Sequence, residues 1–463
     1  MKKLFAVILA AGKGTRMKSA KTVKVLFDVS GRPMLFYPLN ALKEAGVNKT
    51  IIVVGYNKDE VIECFKHSGA LFAVQKEQLG TGHAVMCGLK TLSNVRSGTV
   101  LILSGDVPLI TKETLKAFYK LHLRNNATLS LLTAVVDNPA GYGRIIRNTA
   151  NEVIAVVEEK DATAEQKKIR EVNAGIYLAS FDFLRQSVKK LKNENTQNEY
   201  YLPDIVRLAK SAGKKILALT HASTVEVMGI NNRAELSAAT AIMRGRICLS
   251  LMLNGVTITD PLTTYIDYDV KIGPDSVIEP LVKISGNAVI GNNSFIGQGS
   301  IITNAVIGSN VIIKPYSIID SCVIKAGANI GPFARLRPGS VISEGAGIGN
   351  FVEVKNSRVG KGSKANHLSY IGDAVIGKNA NIGAGVITCN FDGVKKHTTR
   401  VNDGAFIGSD SQLVAPVTIG KNAYVGSGST VTKDVPSGAL IVSRAKERVI
   451  KDWVKKHRAT KKH

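Results

Sequence analysis

The chain has 463 residues, 44% of them hydrophobic, which is too long for one ordinary core, so two to three domains are expected. Its formal charge of +25 suits phosphate-bearing ligands and would equally suit a nucleic acid, although nine Lys or Arg against two acids from Arg444 to His463 gather much of the excess at one end. Five cysteines (Cys64, Cys87, Cys248, Cys322, Cys389), odd in number and never spaced as CxxC, argue against a disulfide scaffold and a structural zinc site and for a reducing, cytoplasmic compartment.

Lys2-Lys3 followed by Leu4 to Ala11 imitates a signal peptide, but it runs straight into a Gly-rich turn and Arg16 with no cleavage site, so it is read as a first strand. To about residue 230, apolar strands (FAVILAA, IIVVGY, VLILSGD) alternate with amphipathic helices near residues 34–45 and 58–66. That alternation predicts an α/β sheet with helices on its faces and chemistry outside the carboxyl ends of its strands. At the first such end stands LAAGKGTRM (residues 9–17), whose small residues let backbone N–H groups close on a base and phosphates while Lys13 and Arg16 supply charge. It is neither GxxxxGK[ST] nor a full dinucleotide fingerprint, and its two glycines alone fit a tight turn equally well. At the end of VLILSG, Asp106 is a poor core residue but a good oxygen ligand for Mg²⁺; its alternative is a turn cap ahead of Pro108. Asn231 is open to the bland reading of a helix N-cap.

Residues 232–253 read as a linking helix with Leu236, Ile242, Ile247 and Leu251 among its apolar positions, and no apolar run is expected to reach the length of a membrane span. From Ile272 a count of six begins: Ile278, Ile284, Ile290, Ile296 and Ile302, then, after a slip of one, Ile307, Ile313 and Ile319, and onward with further slips to Val431. One aliphatic per hexad, followed by Gly and then Asn, Ser or Ala, is a β-helix signature with three units to a turn. Two polar interruptions, GPFARLRPG (residues 331–339) and CNFDGVKKHTTRVND (389–403), carry cations suited to a sugar phosphate or a coenzyme A phosphate. Between them lie Glu353, Lys355, His367 and Tyr370. A lone His is ordinarily structural, yet an amine nucleophile must lose a proton, and imidazole titrates near neutrality.

The motifs together carry a resemblance. LAAGKGTRM with Lys24 (Lys21 is a nearby competitor) is similar to the signature of sugar-1-phosphate nucleotidyltransferases; QLGTGHA, SGDVPL, GYGRI, VEEKDA, NAGI, GINNR and the hexapeptide half extend it. End to end except for the basic tail, the sequence resembles the bifunctional N-acetylglucosamine-1-phosphate uridyltransferases / glucosamine-1-phosphate acetyltransferases of bacteria. The resemblance implies an α/β, Rossmann-like nucleotidyltransferase domain (1–231), a linker helix (232–253) and a left-handed parallel β-helix of hexapeptide repeats with a basic tail (254–463). It implies a uridine nucleotide on Leu9, Ala10, Gly12, Arg16, Lys24, Gln75, Gly80 and Thr81, the sugar on Gly143, Glu158 and Asn173, and Mg²⁺ on Asp106 and Asn231. For acetyl transfer it implies His367 as base, Arg337, Lys355, Tyr370 and Asn381 on the sugar phosphate, and Ala384, Asn390, Phe391, Ser409, Ser427 and Arg444 on acetyl-CoA. It further implies UTP and acetyl-CoA as co-substrates, glucosamine-1-phosphate and N-acetylglucosamine-1-phosphate as substrates, and a homotrimer, with no nucleic-acid or membrane partner. The sequence departs from the family pattern at Val23, Glu159, Ala174, Phe391 and Ser427. The competing readings are a single-activity nucleotidyltransferase whose β-helix only assembles and regulates, and a basic nucleic-acid binder, for which stacking aromatics are scarce.

Overall fold

The structure, a computed structural model, describes residues 3–459. The chain divides into two compact units between Met243 and Arg244.

The first unit is built on a mixed sheet. Its strands are β1 (Leu4–Ala10), β2 (Asp28–Val29), β3 (Arg32–Pro33), β4 (Lys49–Val54), β5 (Leu71–Val74), β6 (Thr99–Ser104), β7 (Leu129–Val135), β8 (Arg144–Arg147), β9 (Val153–Val157), β10 (Glu171–Ser180) and β11 (Ile216–Thr220). The segment that imitates a signal peptide is β1, an interior strand between β6 and β4 in the order β11-β7-β10-β6-β1-β4-β5; β2 and β3 pair separately, and the β8–β9 hairpin joins through β10. Alternate β1 side chains enter opposite cores, Val7 with Ile51, Val53 and Ile102, and Ile8 with Ile52, Leu101 and Leu103. A strand buried on both faces reads as the unbroken apolar run seen in the sequence.

β1 runs parallel to β4 and β6, with Leu9 opposite both Val53 and Ser104, so the loops after Ala10 and Ser104 open at one edge. β10 is antiparallel to β6, with Tyr177 opposite Ile102. Its first residues therefore return to that same edge and bring Asn173 with them. This antiparallel strand was not anticipated, because nothing in NAGIYLAS distinguishes its direction.

The helix Arg233–Leu253 runs through the division between the units. By length and composition it could cross a membrane, which corrects the expectation that no apolar run reaches that length. Its apolarity has a packing use: Cys248 is buried, and Ile247, Leu251 and Met252 lie against the core of the second unit.

That second unit is a left-handed coil of short strands in three parallel ladders of 11, 10 and 9 strands. Ile278 pairs with Ile296 and Ile296 with Ile313, one coil turn apart each time, and the slip of one residue is absorbed at a corner. The hexad aliphatics form one continuous core. Buried serines stitch the turns together: Ser357 Oγ donates to the Ile371 carbonyl (3.2 Å) and Ser363 Oγ to the Gly377 carbonyl (2.7 Å). Corners in the left-handed backbone region hold Asn293, Asn304 and Asn310, as Asn tolerates that conformation. They also hold Tyr316, Phe333 and Phe351, which the sequence reading did not foresee. Those three rings stack at 5.4 and 5.3 Å between centroids, a gain that offsets the backbone cost.

Candidate active sites

Two adjoining cavities open at the carboxyl edge of the sheet. One, of about 250 Å³, is lined by Leu9, Ala10, Gly12, Arg16, Lys24, Ser104, Asp106 and Asn231. The other, of about 380 Å³, shares Leu9, Gly12 and Ser104 and adds Gln75, Gly80, Thr81, Glu158 and Asn173. Gly143 stands beside them, its carbonyl accepting the Asn173 N–H at 2.8 Å. The twelve residues expected at the nucleotide and sugar site, together with Asp106, thus come to one place from seven separate stretches of chain.

The charged end is organised by Asp106. Lys24 Nζ contacts Asp106 Oδ2 and reaches Asn231 Oδ1 at 3.1 Å, while Arg16 Nη2 reaches the same Asn231 oxygen at 2.8 Å. Of the two candidate lysines, Lys24 is the one whose amine lies on Asp106 and Asn231. Gly229 permits this arrangement, since a Cβ there would sit 2.8 Å from Asp106 Oδ1. Asn231 is not the helix cap: Asn232 Oδ1 takes that role, accepting the Glu235 N–H at 2.9 Å, while the Asn231 side-chain oxygen faces the cavity cations and its own N–H donates to Glu235 Oε2 at 2.6 Å. The oxygens of Asp106 and Asn231 converge on a cation, here the Lys24 ammonium. Two hard oxygen donors fit Mg²⁺, which keeps waters and substrate phosphates for its remaining ligands.

The other end is quieter. Gln75 Nε2 donates to the Gly80 carbonyl at 3.1 Å, and position 80 calls for glycine on two counts, its positive φ (98°) and the Tyr200 carbonyl 2.8 Å from where a Cβ would stand. Asn173 Nδ2 donates to the hydroxyl of buried Tyr177 at 2.6 Å, and burial raises that phenol well above its ordinary range. Glu158 is pushed to about 7, first by burial and then by Asp161, Asp204 and Glu199. The neighbouring departure, Glu159, pairs with buried Arg144 at 2.6 Å. Sequence reasoning missed Gly175, Tyr177, Glu199 and Pro203, which line the same cavity.

The second constellation lies along one edge of the coil. His367 is exposed, with Nδ1 2.8 Å from Asn350 Oδ1, one turn below it. The ladder Lys364–Asn381–Phe406–Tyr424 continues upward. Ala384, Ser409 and Ser427 stand three residues beyond its last three members, as His367 stands beyond Lys364. Arg444 closes the column, its Nη1 on the Ser427 carbonyl at 3.1 Å. On the adjoining ladder Glu353 pairs with Tyr370, and Arg337 Nη1 lies 2.8 Å from Glu353 Oε1.

The 389–403 insertion turns back onto this edge. Its Lys396 amine sits against Lys355, which depresses its pKa, with Asp373 and Tyr370 nearby. Against the opposing effect of burial, hydrogen bonds from Asn356 and Asn390 and the charges of Lys355 and Lys396 hold Asp373 below the ordinary carboxylate range. Buried Asn390 is thereby fixed, while Phe391 is exposed. Asn350 and Asp373 went unforeseen, although Asn350 precedes His367 by one coil turn and the repeat could have pointed to it.

Known proteins agree with both halves. Residues 6–170 match the MobA-like NTP transferase domain, and residues 269–304 and 398–433 match the bacterial transferase hexapeptide (six repeats). The chain is 50% identical over 459 residues to the bifunctional protein GlmU of Geotalea daltonii, covering 99% of this chain and 100% of that one. It is 50% identical to the bifunctional protein GlmU of Geotalea uraniireducens (98% and 99% covered) and 48% identical to that of a Geobacillus species (96% and 96%). With such identity along essentially its whole length, and a nucleotidyltransferase fold joined to a hexapeptide-repeat acyltransferase fold, the chain belongs to the family of the bifunctional protein GlmU.

Proposed function

We propose that the two constellations run consecutive steps of UDP-N-acetylglucosamine synthesis: acetyl transfer from acetyl-CoA to glucosamine-1-phosphate on the coil, then uridyl transfer from UTP to N-acetylglucosamine-1-phosphate at the sheet, with release of pyrophosphate. The observation that carries the two-activity reading is the His367–Asn350 pair set in a cationic edge with Arg337, Lys355 and Lys396, chemistry that a purely assembling coil does not need.

In the acetyl step the glucosamine amine attacks the thioester carbonyl; the C–N bond forms, the C–S bond breaks, and coenzyme A leaves as its thiol. Asn350 Oδ1 accepts from Nδ1–H of His367, leaving Nε2 as the lone-pair nitrogen that takes the amine proton. Arg337, Lys355, Tyr370 and Asn381 hold the sugar phosphate, and the column from Ala384 to Arg444, with Asn390 and Phe391, holds acetyl-CoA. In the uridyl step a sugar-phosphate oxygen attacks the α-phosphorus, and the bond to the β,γ-pyrophosphate breaks. Backbone N–H groups of the loop after β1 would face the nucleotide, Gln75, Gly80 and Thr81 bound the base side, and Arg16 and Lys24 balance the triphosphate charge. Gly143, Glu158 and Asn173 border the sugar. Asp106 and Asn231 would hold Mg²⁺, which when bound neutralises phosphate charge and orients the leaving group.

We further propose a homotrimer acting in the cytoplasm, on soluble substrates, with a product that feeds bacterial cell-wall and lipopolysaccharide synthesis. The free state of all five cysteines supports the compartment, and the exposed apolar side chains of Phe391 (60%) and Val394 (88%) in the insertion support contact with a neighbouring copy. The pair Asp106→Ala and His367→Ala tests the assignment. The first should abolish uridyl transfer and spare acetyl transfer; the second should lower acetyl transfer by about 10² to 10⁴ and spare uridyl transfer. Loss of both activities in either folded variant would sink it.

A further inference from the structure

Neither site uses the segment beyond Arg444. Every side chain from Val442 to Arg458 is exposed, including large apolar ones: Val449 (84%), Ile450 (56%), Trp453 (50%) and Val454 (54%). The helix Trp453–Ala459 puts Trp453, Val454 and His457 on one side, by the 3.6-residue period, with the indole stacked on the imidazole at 4.2 Å between centroids. Lys455 falls on the opposite side, and Arg458, one turn after Val454, flanks the apolar side. Val449 and Ile450 precede the helix, and Lys446, Arg448 and Lys451 are interleaved with them. From Arg444 to Arg458 seven cations face only Glu447 and Asp452.

Exposed aliphatic side chains and a single Trp interleaved with cations form the pattern that lies in the plane of an anionic bilayer, ring and aliphatics at the acyl boundary and cations over headgroups. A single-stranded nucleic acid would call for several stacking aromatics, and this segment has one. We propose that residues 445–459 dock the protein reversibly on an anionic lipid surface. This departs from the expectation of no membrane partner; docking on a surface needs no span. It stands independently of the transferase reading.

Trp453 is the only tryptophan of the chain, so its emission reports on this segment alone. The full-length protein is titrated with vesicles of phosphatidylcholine containing phosphatidylglycerol, and with vesicles of phosphatidylcholine only. The anionic vesicles should shift the emission to the blue and carry the protein into the pellet, and added salt should reverse both. Lys455→Gln with Arg458→Gln should weaken partitioning about fivefold per charge. Ile450→Glu with Val454→Glu should abolish the blue shift, and both pairs should keep both transferase activities in the absence of vesicles. The proposal is overturned by equal binding to the neutral vesicles, by no response to either, by polyuridylate producing the shift and displacing the vesicles, or by acetyl-CoA alone producing it.

Discussion

Replacing Glu158 by Gln removes a carboxyl that the fold holds against its own charge. Burial, followed by Asp161, Asp204 and Glu199, moves it from the ordinary 4.5 to about 7, with Arg144 offsetting only part. A displacement of that size corresponds to about 3 kcal/mol between the two protonation states. The folded chain holds a proton that the unfolded chain gives up between 4.5 and about 7, so the stabilisation is complete below 4.5 and is lost as pH rises through 7. Glu158→Gln cannot ionise and escapes that loss. Relative to the parent protein it should therefore gain about 2 to 3 kcal/mol at about pH 8 over its difference at about pH 5. Urea titrations followed by proteolysis of the first unit at the two pH values measure this, and the same variant should raise KM for the sugar phosphate in uridyl transfer. A stability difference between variant and parent that stays constant across the window would refute the burial argument.

Three further outcomes follow from the geometry. Gly229→Ala should push the Asp106 carboxylate off its place, since the new Cβ would lie 2.8 Å from Oδ1, and lower the uridyl-transfer rate about 10²-fold with acetyl transfer unchanged; an unaltered rate would show that this placement is immaterial. Asn350→Ala should leave His367 without its Nδ1 partner and lower kcat for acetyl transfer, by no more than about 10², with KM for acetyl-CoA little changed; no change in the rate or its pH profile would remove Asn350 from the mechanism. Sedimentation should give a mass about three times 49.5 kDa, and a monomer active in acetyl transfer would rule the trimer out.

The coil was the most legible part of the sequence, because a six-residue period maps directly onto one inward aliphatic per strand and needs no knowledge of distant contacts. Ile278, Ile296 and Ile313 declare it by spacing alone. The α/β order of the first unit was readable for the same local reason, but the direction of β10 was not, since a strand buried on both faces looks alike whichever way it runs. Lys21 and Lys24 could not be told apart in the sequence; the short 3₁₀ turn Lys24–Leu26 turns the second toward Asp106. Glu199 lies 93 positions beyond Asp106 with no local signal, and only the tertiary fold brings it to the sugar end. The aromatic corners Tyr316, Phe333 and Phe351 were hidden because their tolerance of a left-handed backbone depends on each other's rings.

The central claim is that one chain performs both transfers, and supplying the purified protein with glucosamine-1-phosphate, acetyl-CoA, UTP and Mg²⁺ tests it most directly. Followed together, free coenzyme A thiol should appear first and pyrophosphate with UDP-N-acetylglucosamine after it, and omitting acetyl-CoA should stop both unless N-acetylglucosamine-1-phosphate is supplied. Pyrophosphate release from N-acetylglucosamine-1-phosphate with no thiol release from glucosamine-1-phosphate would contradict the account and leave a nucleotidyltransferase carrying a coil that only assembles it.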